Sequence, residues 1–166
     1  LKGISFGNFL IKQVANAIRT DYPKIKDFVT LSPVPGFMDW LELNNNELFK
    51  SIDNGQFINE TDEYKDDILK NSLDYFFNSE RSDKLPNDSV ARFHLGNGAY
   101  LHRINFLGDL SNKALNSAAG LMVNYKYDLD KIEENHEEFF KEKNIICSNE
   151  IQLMKKNYHK KKLKFG

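Results

Sequence analysis

Two short segments of this chain carry residue types that can move protons. Val90-Ala91-Arg92-Phe93-His94-Leu95-Gly96-Asn97-Gly98-Ala99 sets an imidazole beside a glycine-asparagine-glycine turn, ahead of a strand-like run from Tyr100 to Phe106. Leu31-Ser32-Pro33-Val34-Pro35-Gly36-Phe37 offers a hydroxyl on backbone stiffened by two prolines. Imidazole titrates near neutral pH, so His94 suits proton donation, with Ser32 as its partner. Each residue alone also has a plain structural reading. Serines commonly end strands, and a lone histidine is commonly a hydrogen-bonded core residue. The two are distant in sequence, so only the fold can join them.

A third segment, Gly3-Ile4-Ser5-Phe6-Gly7-Asn8, reads as a tight loop feeding a helix. Its N–H groups suit a pyrophosphate, although a plain turn that starts a helix has the same composition. His102, His136 and His159 show no metal-ligand spacing, and no metal site is expected. The acidic run Asp128, Asp130, Glu133, Glu134, Glu137 and Glu138 reads as a solvated helix face. Lys155-Lys156 and Lys160-Lys161-Lys162 read as part of a soluble basic tail.

The elements that must position these groups are partly legible. Leu10, Val14, Ala17 and Ile18 recur at helical spacing, with Ser5 or Asn8 as cap and Asp21-Tyr22-Pro23 as the stop. Lys26 to Leu31 is rich in β-formers, which puts Ser32 at the C-terminal end of a strand, where open α/β sheets bind ligands. From Asn44 to Asn87 the chain is polar and helical. Leu69, Leu73, Phe76 and Phe77 form one apolar stripe, and Asp53-Asn54-Gly55 has the composition of a turn. Strands are predicted over Tyr100–Phe106 and Gly120–Tyr127, with a helix over Ser111–Ala119 between them. A charged helix from about Asp130 to Lys143 and a basic one from Glu150 to Lys164 follow.

At 166 residues, 40% hydrophobic with 13 Phe, the chain has material for one domain with a real core. A net charge of −1 gives no case for nucleic acid as the main partner. The single cysteine, Cys147, excludes an internal disulfide and fits a reducing compartment. No apolar run approaches the ~20 residues of a membrane helix. The chain opens on Leu1 almost directly before a loop that normally follows a strand. It is therefore expected to be the C-terminal part of something longer, the alternative being a precursor cut at this point.

Taken together, Gly3–Lys12, Leu31–Phe37, Val90–Ala99, Arg103–Asp109 and Ser117–Tyr125 resemble, in the same order, the malonyl-CoA decarboxylase family. The resembling part of that family is the later portion of its catalytic domain. It covers nearly the whole chain and is weakest over residues 44–84 and in the basic tail. It implies an α+β fold: a partial GNAT (N-acetyltransferase)-like mixed sheet flanked by helices, with a helical insertion. It also implies that residues 1–166 are the C-terminal portion of the catalytic domain, without the helical N-terminal domain and early strands.

The implied reaction belongs to fatty-acid and malonate metabolism. A carboxy-lyase converts malonyl-CoA to acetyl-CoA and carbon dioxide, with no biotin, metal or separate cofactor, because coenzyme A is part of the substrate. The family's catalytic serine and histidine fall on Ser32 and His94. Its substrate-binding loop falls on Lys2, Gly3, Ile4, Ser5, Phe6, Gly7 and Asn8. Malonyl-CoA is the expected partner, with neither nucleic acid nor membrane, and the full-length protein is expected to form a homo-oligomer. The expected location is the cytoplasm, or the mitochondrion in a eukaryote.

Loss of carbon dioxide leaves an enolate that must be stabilised and then protonated at carbon. His94 is the expected proton donor, and Ser32 is expected to hydrogen-bond the departing carboxylate or to accept and relay a proton. Asn97, with the backbone around Gly96 and Gly98, is the expected oxyanion donor; such a donor contributes roughly 3–4 kcal/mol. Ser32 and His94 are expected on opposite sides of one thioester-sized pocket. Two departures from the family stand out: the segment between Ser32 and His94 is short, and Lys164-Phe165-Gly166 is not a peroxisomal address. Two rival readings remain, an acyl-CoA-dependent acyltransferase on the same fold and an inactive fragment.

Overall fold

The computed structural model describes residues 6–53 and 56–164. Among these, helix α1 (Phe6–Asp21) leads to strand β1 (Phe28–Pro33), and helices α2 (Phe37–Asn44) and α3 (Asn46–Ile52) follow. A 3-10 turn, Gln56–Asn59, precedes the long helix α4 (Thr61–Phe77) and the short helix α5 (Ser89–Gly96). Strand β2 (Tyr100–Asn105), helix α6 (Asn112–Ala118) and strand β3 (Met122–Tyr127) complete the sheet. Helix α7 (Ile132–Glu137) continues as a wider π-helical turn, Glu138–Glu142, and helix α8 (Asn149–Lys164) closes the chain.

The α+β class is the expected one. The sheet is simpler than the mixed sheet expected: its order is β1-β3-β2 and both pairings are antiparallel. Its parallel component is an isolated bridge between Leu101 and Cys147. Helix α6 packs against α2, and β3 returns antiparallel beside β2. The helical insertion is present as α3, the 3-10 turn and α4, while Asn54 and Gly55 of the predicted turn lie outside the described residues.

Alternation along β3 decides which sheet face is buried. Val123, Tyr125 and Tyr127 point inward, and Met122, Asn124 and Lys126 point outward. Register carries the alternation to β1, where Phe28 faces Tyr127, Thr30 faces Tyr125 and Ser32 faces Val123. Leu101 and Ile104 of β2 join this inner face across an irregularity at His102. Against it lie Ala91 and Leu95 of α5, Phe37, Met38 and Leu41 of α2, and Ile68, Leu69, Leu73 and Phe76 of α4. The predicted α4 stripe is thus core-facing, with Phe77 half-buried beneath the Lys155 ammonium at 3.7 Å.

Helix α1 differs from its predicted amphipathic packing. Among its described side chains Ala15 is the buried one, whereas Leu10 and Val14 are 58% and 50% exposed. Asn8 lies within the first turn and is not the residue before the helix, and Ser5 lies outside the described residues.

Candidate active site

Ser32 is the penultimate residue of β1, and the motif after it works as an anchor. Val34 and Phe37 are completely buried, and Phe37 meets Tyr75 of α4 edge-on at 5.8 Å. Gly36 is where that tyrosine approaches the backbone, since a Cβ there would lie 2.7 Å from its hydroxyl. Burial of Val34 and Phe37 just past the strand fixes its end, and strand alternation turns the serine onto the inner face of the sheet.

His94 sits in the last turn of α5, a helix the sequence reading did not identify. Asp88 caps that helix through a 2.7 Å bond from the Ala91 N–H to its Oδ1. Its other oxygen accepts the Tyr75 hydroxyl at 3.3 Å, which ties α5 to α4. Asp88 is 1% exposed, and that burial raises its carboxyl above the ordinary range.

The fold joins the two residues directly. Ser32 Oγ lies 3.1 Å from His94 Nε2. The expected arrangement, one group on each side of a pocket, is therefore corrected: nothing fits between atoms in hydrogen-bond contact. A reacting group must meet the pair from its partly open edge, because His94 is half-buried while Ser32 is 5% exposed.

Two residues that the sequence reading passed over complete the constellation. Tyr127 Oη lies 2.8 Å from the other imidazole nitrogen, Nδ1. Thr30 Oγ1 lies 3.1 Å from Ser32 Oγ. Tyr125 supplies the floor, its ring stacked on the imidazole at 4.6 Å and 19°. All three share the inner face with Ser32 by strand alternation. That period was legible in Tyr125-Lys126-Tyr127, but the face it pointed to was not.

Burial sets the electrostatics. It pulls the His94 imidazole from its ordinary 6.5 down to about 4, so the free site holds a neutral ring at neutral pH. It pushes the Tyr127 and Tyr125 phenols up, so both keep their protons.

Asn97 fits the oxyanion role poorly. Its side-chain amide donates to Phe93 O at 2.7 Å, and its backbone N–H reaches the carbonyls of Phe93 and His94. The N–H groups of Gly98 and Ala99 close on Leu95 O and His94 O at 2.9 and 3.1 Å. The backbone donors and one of the two Asn97 amide hydrogens are spent on finishing helix α5. Sequence showed the glycine-asparagine-glycine turn but not that it is consumed as a helix C-cap.

Of the expected substrate loop, Lys2, Gly3, Ile4 and Ser5 lie outside the described residues, while Phe6, Gly7 and Asn8 form the first turn of α1. Among the described residues no three His, Cys, Asp or Glu side chains gather closely enough to hold a metal ion. His136 is engaged structurally, its Nδ1–H donating to Gly96 O at 2.6 Å.

A family model for the malonyl-CoA decarboxylase C-terminal domain matches residues 1–164. The chain belongs to the malonyl-CoA decarboxylase family. It is 33% identical to the mitochondrial malonyl-CoA decarboxylase of Anser anser anser over 91% of its length, and 32% identical to that of Rattus norvegicus. Among solved structures, the malonyl-CoA decarboxylase of Rhodopseudomonas palustris superposes with a TM-score of 0.82 at 41% identity, covering 93% of the chain. That of Agrobacterium vitis gives the same TM-score at 42% identity. The chain spans between 36% and 42% of the length of these relatives. No helix among the described residues is long and apolar enough to cross a membrane.

Proposed function

We propose that the protein decarboxylates malonyl-CoA to acetyl-CoA, with His94 as proton donor and Ser32 as partner of the departing carboxylate. The contact of 3.1 Å between Ser32 Oγ and His94 Nε2, in a chain of this family, carries the reading. The malonyl carboxylate brings a negative charge against a ring held neutral by burial, and an adjacent anion favours the imidazolium. The bond from the carboxylate carbon to the α-carbon then breaks. Its electron pair passes to the α-carbon and into the thioester carbonyl, and carbon dioxide leaves. The proton on Nε2 forms the new C–H bond and the ring returns to its neutral state. The thioester is itself the electron sink, so the step needs no separate cofactor.

Coenzyme A is assigned to Lys2, Gly3, Ile4, Ser5, Phe6, Gly7 and Asn8. A helix beginning at Phe6 leaves first-turn N–H groups unpaired within the helix, the arrangement that receives a diphosphate. Changing Gly7 to Val should weaken malonyl-CoA binding while sparing Ser32 and His94; unchanged affinity would move the nucleotide elsewhere. The same reading makes the native protein a homo-oligomer in the cytoplasm or mitochondrion, the second supported by the mitochondrial relatives.

The test supplies the native gene product with malonyl-CoA and follows carbon dioxide and acetyl-CoA together. Equal release of both, reduced by orders of magnitude in His94→Asn with coenzyme A binding retained, supports the lyase. Acyl transfer to an amine or thiol without carbon dioxide would replace it by the acyltransferase reading.

A further inference from the structure

We propose that Thr30 is a positioning residue: its hydroxyl accepts the Ser32 proton and so keeps hydrogen on Nε2 of His94, facing the site. Four groups form one chain of hydrogen bonds. It runs from Tyr127 Oη to Nδ1 at 2.8 Å, from Nε2 to Ser32 Oγ at 3.1 Å, and from Ser32 Oγ to Thr30 Oγ1 at 3.1 Å. A neutral imidazole has one donor and one acceptor nitrogen and each hydroxyl one proton, so the chain has two head-to-tail directions; a Ser32 that accepted from both Nε2–H and Thr30 would leave its own proton, on a residue 5% exposed, unpaired.

In the first direction Tyr127 donates to Nδ1, Nε2–H donates to Ser32, and Ser32 donates to Thr30. In the second every bond reverses, and Tyr127 must accept from Nδ1–H. Its own phenolic proton is then left without an acceptor among the described residues, because Nδ1 is the hydrogen-bond partner recorded for Oη. Tyr127 is 4% exposed, so leaving that proton unpaired is costly. The first direction has no such defect. Thr30 is half-buried, and its own hydroxyl proton can face water. The chain therefore runs from Tyr127 to Thr30, and Thr30 is its terminal acceptor.

The fold holds Thr30 for this task. It pairs with Tyr125 across β1 and β3, the residue whose ring supports the imidazole. Its carbonyl accepts from Asn124 Nδ2 at 3.0 Å, and Asn124 is held in turn by Asn105 at 2.9 Å. With the backbone fixed, the β-branched side chain has little χ1 freedom. When a substrate carboxylate arrives, the Ser32 proton has only to rotate from Thr30 to the new acceptor.

The effect on turnover rests on the decarboxylase reading, whereas the tautomer does not. Nitrogen-15 NMR of the imidazole in the full chain reads the tautomer without any substrate. Free protein should show hydrogen on Nε2; hydrogen on Nδ1 would overturn the proposal with no variant needed. In Thr30→Val each direction leaves one buried proton unpaired, that of Ser32 in the first and that of Tyr127 in the second, so the preference for Nε2–H should weaken and the Nδ1–H fraction should rise. Thr30→Ser should restore the original state. Malonyl-CoA turnover should fall about tenfold in Thr30→Val with KM unchanged, and recover in Thr30→Ser. A Thr30→Val protein whose tautomer ratio matches that of the native chain refutes the proposal. A tautomer shift in a protein that releases no carbon dioxide refutes the decarboxylase reading and leaves Thr30 in its role.

Discussion

At the scale of single residues, His94 is the place where burial and chemistry pull against each other. A ring with an ordinary value of 6.5 in the unfolded chain and about 4 in the fold is costly to protonate in the folded state. Between those values the unfolded chain binds a proton that the native protein does not, so stability rises with pH across that window. The contribution is complete above about 6.5 and lost as pH falls toward 4. His94 is only half-buried, so solvent screening reduces it to roughly 1–2 kcal/mol. Urea denaturation at a series of pH values should show this slope in the native protein and a flatter one in His94→Asn. Equal slopes would mean that other groups govern acid sensitivity. The same property shapes catalysis under the decarboxylase reading, because the proton delivered to carbon must be taken up together with the substrate.

At the scale of elements, the short helix α5 and the turn after it govern the site, and these were the parts least legible in the sequence. The strands containing Ser32 and Tyr127 could be read because β-formers cluster there, and α4 because Leu69, Leu73 and Phe76 repeat over several turns. An eight-residue helix shows about two turns of period, too few for the pattern of Ser89–Gly96 to declare a helix. Gly98 was visible as a turn residue, but its full constraint comes from a distant segment. Its φ is +82°, and a Cβ there would lie 2.3 Å from the carbonyl oxygen of Ile132 at the start of α7. The Asn135 side chain of α7 donates to the Gly98 carbonyl at 3.0 Å. Gly98→Ala therefore meets both an unfavourable backbone conformation and a backbone clash. It should cost about 3 kcal/mol or more of stability and release α7. Denaturant unfolding measures the first effect and amide exchange across 132–142 the second. A near-neutral substitution would show that α7 can move away freely. The π-helical turn after α7 is similarly set by contact, because Phe140 packs where Gly96 has no side chain.

At the scale of the whole molecule, the sheet and its inner helices share one core, whereas the described side chains of α1 engage the rest of the chain mainly at the surface. Among its described side chains Ala15 is the buried one, and Ile11 packs partly against the core. Two ion pairs reach the segment around α7: Lys12 with Glu133 at 2.5 Å and Arg19 with Asp130 at 3.7 Å. Glu133 and Asp130 are 85% and 88% exposed, so both pairs are weak and screened by salt. The residues assigned to coenzyme A run directly into this helix, which links its attachment to substrate affinity. Replacing Glu133 by Lys sets two like charges at the closer pair. Amide exchange over α1 should then quicken while β1, β2 and β3 keep their protection, since the core beneath the sheet is untouched. Salt of about 1 M should have the same effect on the native chain, because the screening length falls to roughly 3 Å. Salt also weakens diphosphate binding directly, so the substitution at fixed ionic strength is the decisive arm for affinity: KM for malonyl-CoA should rise with kcat little changed. Unaltered exchange over α1 in Glu133→Lys would mean that apolar burial, Ala15 and Ile11 included, seats the helix, and that the ion pairs only decorate it.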